Sequence, residues 1–169
     1  MNIEPYLEKH KNALISELSE FIQKPLPEEV RCVEVMVFRE SMPGIPFRVF
    51  FLNRFKDTAK TIESFEPLSS VGVLVDSPDY ISREEAICKC LDMDEEPEQD
   101  LCMDFVTEKY NSENQRLCQW FSECWDEAGG KNYQYHAFVV EEDGQFNPLN
   151  LKTGTHIKHM HEYVKVFDG

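Results

Sequence analysis

Residues 117–151 read LCQWFSECWDEAGGKNYQYHAFVVEEDGQFNPLNL and hold both tryptophans of the chain and two of its six cysteines. Leu117, Phe121, Cys124, Trp125 and Ala128 recur at helical spacing, which places them on one face of a helix. Gly129 and Gly130 follow, and glycine readily takes the left-handed conformation that closes a helix. Residues 133–140 then alternate Tyr133, Tyr135, Ala137 and Val139 against Gln134, His136, Phe138 and Val140, the period of a strand. Asp143 and Gly144 supply a turn toward Gln145 and Phe146, so a hairpin is predicted. Trp120 and Trp125 cannot share an angular position, because successive helical residues are rotated by about 100°. Trp125 is expected in the core and Trp120 toward an edge, where an aromatic side chain can anchor another protein.

Near the N-terminus, Ile3, Leu7, His10, Leu14, Leu18 and Phe21 step by three or four residues, with Ile15 and Ile22 widening the stripe. They predict an amphipathic helix that Pro25 and Pro27 end near Gln23. Residues 30–38 set Val33, Val35 and Val37 against Cys32, Glu34 and Met36 in strand period. SMPGIP at 41–46 carries turn residues, and FRVFFL at 47–52 is β-prone enough to return as the second strand of a hairpin. VGVLV at 71–75 predicts a third strand, while 58–68 has a weaker pattern compatible with a short helix or a loop. Ser82 and Glu85 form a capping box for a helix reaching about Leu91.

DMDEEPEQD at 92–100 puts six carboxylates around Pro97 and reads as a solvated loop. Leu101, Phe105 and Val106 resume helical spacing. A pause at 111–114, with Ser112 and Gln115 as a second capping pair, predicts two consecutive helices. Residues 156–167 read as a weak strand with Tyr163, Val164 and Val166 as candidate buried residues. The expected fold is a single α+β domain over residues 1–169, with an acidic loop at 92–100. An antiparallel sheet packs against the N-terminal helix and the tryptophan helix.

A chain of 169 residues can bury a core without staples. Its 32 acidic and 17 basic residues give a formal charge of −15, a field that repels nucleic acids and anionic membranes and attracts cationic partners. Nucleic acid and membrane are therefore not expected as partners, and the acidity reads either as a solubilising surface or as a match for a basic protein partner. The N-terminus has acidic residues where an export signal needs a basic start, and no apolar run approaches a membrane span, so a cytoplasmic location is expected. In that reducing compartment the six cysteines read as free thiols, with no structural disulfide.

Three of the five histidines, His156, His159 and His161, lie close in sequence. On an extended chain His159 and His161 point the same way, as two ligands of a hydrolytic metal would. No third and fourth ligand can be placed. Cys88 and Cys90 have one intervening residue where redox and zinc motifs have two or more, and nothing selects a nucleophilic pair such as Cys118 with His136. The acidic run lacks the alternating ligands, central glycine and terminal glutamate of a calcium loop. The seven glycines are scattered without a phosphate cradle, so no cofactor is expected.

WFSECWDEAGG, the Tyr/Phe strand after it and FNPLNLKTG resemble a group of small acidic bacterial proteins of unassigned function, some related to immunity proteins of polymorphic toxins. The opening helix and hairpin, VEVMVFRE through RVFFLNR, fall in a similar order. The resemblance implies a non-enzymatic binder, and acidity suits neutralisation of a basic toxin. The candidate contacts are Asp92, Asp94, Glu95, Glu96 and Glu98 of the acidic loop together with Trp120. The alternative is a metal-dependent hydrolase built on His156, His159 and His161.

Overall fold

The N-terminal apolar stripe forms α1, Glu4–Ile22, which buries Leu7, His10, Leu14, Leu18 and Phe21 and is capped at Gln23. Pro5 sits in its first turn, where a missing N–H costs nothing. A computed structural model describes residues 3–38, 47–68, 81–142, 144 and 147–168. The predicted turn at 41–46, the VGVLV strand at 71–75, and Asp143, Gln145 and Phe146 lie outside the described residues.

Strands β1 (Cys32–Val37) and β2 (Phe47–Arg54) pair antiparallel with Glu34 opposite Phe50 and Val35 opposite Val49. A tight turn at Phe55 and Lys56 leads to β3 (Asp57–Thr58). Then come α2 (Arg83–Leu91) and α3 (Glu96–Glu127). They are followed by β4 (His136–Glu141), β5 (Leu149–Asn150), β6 (Thr155–His156) and α4 (Met160–Val164). The chain is a single α+β domain, with strand order β3-β2-β1-β4-β5-β6.

The sheet is mixed rather than antiparallel. Its central pair, β1 and β4, is parallel, with Val35 opposite Val139, while the outer pairs are antiparallel. Strand β4 is reached only through a long helical connection, and such a crossover can lay a strand parallel to an earlier one. Residues 133–135 do not join the strand; β4 begins at His136, and Tyr133 packs edge-on against Trp125.

Alternation sorts the strand residues onto two faces. Val33, Val35, Val37, Phe47, Val49, Phe51, Ala137 and Val139 meet α1 and the C-terminal third of α3 in the main core. Trp125 is fully buried there beside Phe21 and Phe121. Trp120 is 2% exposed, with its ring 5.9 Å from that of Phe47, so both tryptophans belong to the core. The opposite face holds Cys32, Leu52 and Phe138, covered by Ile157, Tyr163, Val166 and Phe167. That covering segment is not the predicted strand: after β6 it forms α4 and a 3₁₀ turn, Lys165–Phe167. Tyr163, Val166 and Phe167 fit a helical step as well as an extended one.

The two glycines after α3 serve different ends. Gly129 has φ 90, the left-handed turn expected of it. At Gly130 a Cβ would lie 2.1 Å from Trp125 Nε1, so this position is bare because an indole occupies the space.

Candidate functional site

Helix α3 has 32 residues and is therefore about 48 Å long, well beyond the reach of strands of six to eight residues. Only its C-terminal third, from Leu117, lies in the main core. The N-terminal half packs α2 against it around a satellite cluster of Cys90, Val106 and Tyr110, with Ala86, Ile87, Cys102 and Met103 partly buried alongside. The predicted pause at 111–114 does not break the helix. Glu113 and Asn114 are buried, and Asn114 Nδ2 donates to Glu141 Oε2 of β4 at 3.3 Å, so mid-helix polar groups serve a tertiary contact.

The α2–α3 hairpin is closed by several devices. Ser82 Oγ accepts from the Glu85 amide at 3.1 Å, as the capping box predicts. Gln99 Nε2 donates to the Met93 carbonyl at 2.7 Å across the tip. Tyr110 donates its hydroxyl to the Ile81 carbonyl at 2.6 Å. A disulfide joins Cys90 to Cys102 and overturns the expectation of free thiols throughout. Sequence spacing hid it, because the partner of Cys90 lies on the next helix and not in the Cys88-x-Cys90 pair.

The acidic residues crown this hairpin. Asp92, Asp94 and Glu95 form the turn and are exposed, but Glu96 and Glu98 lie in the first turn of α3, where the helix dipole favours carboxylates. The predicted loop at 92–100 is thus a short turn followed by helix. Between 92 and 108 there are eight acidic residues, all exposed, and no Lys, Arg or His. Among them stand apolar side chains facing water: Leu101 is 71% exposed, Phe105 66%, Leu91 57% and Met93 39%. Glu98, Leu101, Phe105 and Glu108 follow one another at three- and four-residue steps, so two apolar groups lie between two acids along one face of α3. Trp120 does not belong to this surface, since the core encloses it.

His159 and His161 come side by side as expected, but not on an extended strand, and His156 does not join them. His159 precedes α4 and His161 lies within it, their rings stacked at 5.4 Å. His156 in β6 instead donates Nδ1–H to the Asn147 carbonyl at 2.5 Å. Among the described residues no three His, Cys, Asp or Glu side chains are grouped to hold a metal ion. Cys118 and His136 lie on opposite faces of the sheet, and burial pushes the Cys118 thiol up to about 12, far from a nucleophile's range.

A second concave feature lies on the face of the sheet that α4 covers only in part. It is a groove of about 640 Å³ floored by Glu34, Met36, Phe50, Leu52 and Val140, with Lys56, Asn147, Pro148 and Met160 at its sides. Glu34 is partly buried and accepts a hydrogen bond from the Tyr163 hydroxyl. Burial raises its pKa above the ordinary 4.5, opposed by the Tyr163 bond and by Lys56. Sequence reading passed over this residue, although a carboxylate inside CVEVMV was the available signal.

No family model, curated protein or solved structure matches the chain. Among the described residues no helix is long and apolar enough to cross a membrane.

Proposed function

We propose that this chain is a non-enzymatic protein-binding domain, that its contact surface is the α2–α3 hairpin, and that its partner is a basic protein. The observation that carries this reading is the set of exposed apolar side chains, Leu91, Met93, Leu101 and Phe105, standing within an unbroken field of carboxylates. Exposing large apolar groups costs solubility, and apolar side chains set among charges are the makeup of a contact surface. The carboxylates steer a cationic partner and reject acidic ones, while desolvation of Leu101 and Phe105 supplies affinity. The resemblance to immunity proteins makes a basic toxin the specific partner proposed.

A photo-cross-linking amino acid placed at position 105 tests this in the native host, with the same probe at exposed Thr153 as control. The expected result is a discrete adduct with a basic protein from position 105 alone. No adduct, or the same adduct from both positions, refutes the assignment of the surface.

A further inference from the structure

The groove on the second sheet face is independent of the hairpin and has chemistry of its own. Strand β1 delivers Glu34 into a floor that is otherwise apolar, because its cross-strand neighbours are Phe50 on β2 and Phe138 on β4. A carboxylate in such surroundings needs either a proton or a counter-charge. Tyr163 donates one hydrogen bond to Oε2 and so fixes the orientation of the group without neutralising it. Among the described residues no cation lies within ion-pair distance of Glu34. Lys56 reaches it only through the longer-range field, with its ammonium 5.5 Å from the Phe55 ring centre. The lining carries two acids, Glu34 and Glu142, against one base, Lys56. Its size falls within the roughly 300–1,000 Å³ of small-molecule sites, and a few polar groups in an apolar lining are their usual composition.

We propose that this groove binds a small apolar amine, with the ammonium group paired to Glu34 and the apolar body laid over Phe50, Leu52 and Val140. The ammonium supplies a counter-charge that no described residue places within ion-pair distance of Glu34, and the body covers sheet surface that α4 leaves open. Tyr163 acts as a positioning residue, holding the carboxylate toward the incoming cation. An apolar carboxylate meets Glu34 and Glu142 as like charges and is rejected.

The test titrates phenethylamine and tryptamine into the isotope-labelled full chain, against phenylacetate and indole-3-acetate, which have similar apolar bodies and the opposite charge. Amide shifts locate and quantify binding. At least one amine is expected to give saturable shifts at Phe50 and Val140, with its carboxylate counterpart at least about tenfold weaker, the scale of one charged hydrogen bond. Glu34→Gln should weaken the amine by a similar factor, and Val140→Trp, which fills the groove, should abolish binding while the dispersed spectrum persists. Saturable binding of neither amine at these amides overturns the proposal, as does equal affinity for amine and carboxylate. The head-group order in the unmodified chain decides the matter even if Glu34→Gln fails to fold.

Discussion

Reducing the Cys90–Cys102 bond should loosen the α2–α3 hairpin and leave the sheet intact. The bond spans a sequence separation of 12. Closing a loop of that size removes chain entropy worth about 3 kcal/mol from the open state. Besides the hydrogen bonds of Ser82, Gln99 and Tyr110, the described buried cluster of the hairpin is small, with Cys90, Val106 and Tyr110 buried and Ala86, Ile87, Cys102 and Met103 partly covered. A fully buried large side chain contributes roughly 1.5–3 kcal/mol, so the bond matches one or two of them. Local opening can therefore occur without global unfolding. Amide hydrogen exchange with and without a reductant reads the effect directly. A loss of about 3 kcal/mol speeds exchange by roughly two orders of magnitude across 83–105, with β1 and β4 unchanged. Equal protection in both states refutes the reasoning, as does titration of six thiols in the denatured, unreduced protein instead of the four of Cys32, Cys88, Cys118 and Cys124.

Gly130→Ala drives a methyl group into the Trp125 indole and should cost about 1–3 kcal/mol in urea denaturation, more than the strained but uncrowded Gly129→Ala; a neutral Gly130→Ala would show that the close approach is wrong. Because the folded pKa of Glu34 is raised, the native state holds its proton more tightly than the unfolded chain does. The resulting stability is fully present below the ordinary 4.5 and is lost as pH rises through the raised value. Glu34→Gln, which keeps an acceptor for Tyr163, should flatten that part of the stability profile and gain on the wild type toward neutral pH; an unchanged slope contradicts it. Since Trp120 and Trp125 are both enclosed, tryptophan emission of the folded chain should resist acrylamide until the protein unfolds, and a readily quenched half of the signal would return Trp120 to the surface.

Local elements were legible where side-chain period and chain punctuation agreed. The stripe from Ile3 to Phe21 with Pro25 behind it marked α1, and Ser82 with Glu85 marked the start of α2, because these signals act within a few residues. Partners remote in sequence were not legible. Nothing in Val33–Val37 or Ala137–Val140 announces that the two strands run parallel, since period 2 fixes faces and not neighbours. Asn111 to Asn114 imitated a helix break because buried Asn114 answers to Glu141, a contact made only by folding. The tail misled through its β-branched residues, although Tyr163 and Val166 also stand at a helical step. Of the candidate contacts, the acidic residues stand out in composition alone. The exposure of Leu101 and Phe105 does not, because apolar residues at helical spacing ordinarily predict burial. Trp120 shows the reverse error: a large aromatic assigned to an edge fills the core against Phe47.

The proposed contact joins the hairpin to a basic protein through Leu101 and Phe105 within a field of carboxylates. The most direct measurement is the affinity of the protein cross-linked at position 105 for the wild-type chain and for the double variant Leu101→Ser with Phe105→Ser. Both side chains are exposed in the free domain, so the variant should keep the same melting temperature. Central apolar anchors carry about 2 kcal/mol each, so the variant should bind roughly a thousandfold more weakly, and added salt should slow association of both chains alike. An unchanged affinity in a folded double variant would contradict the account.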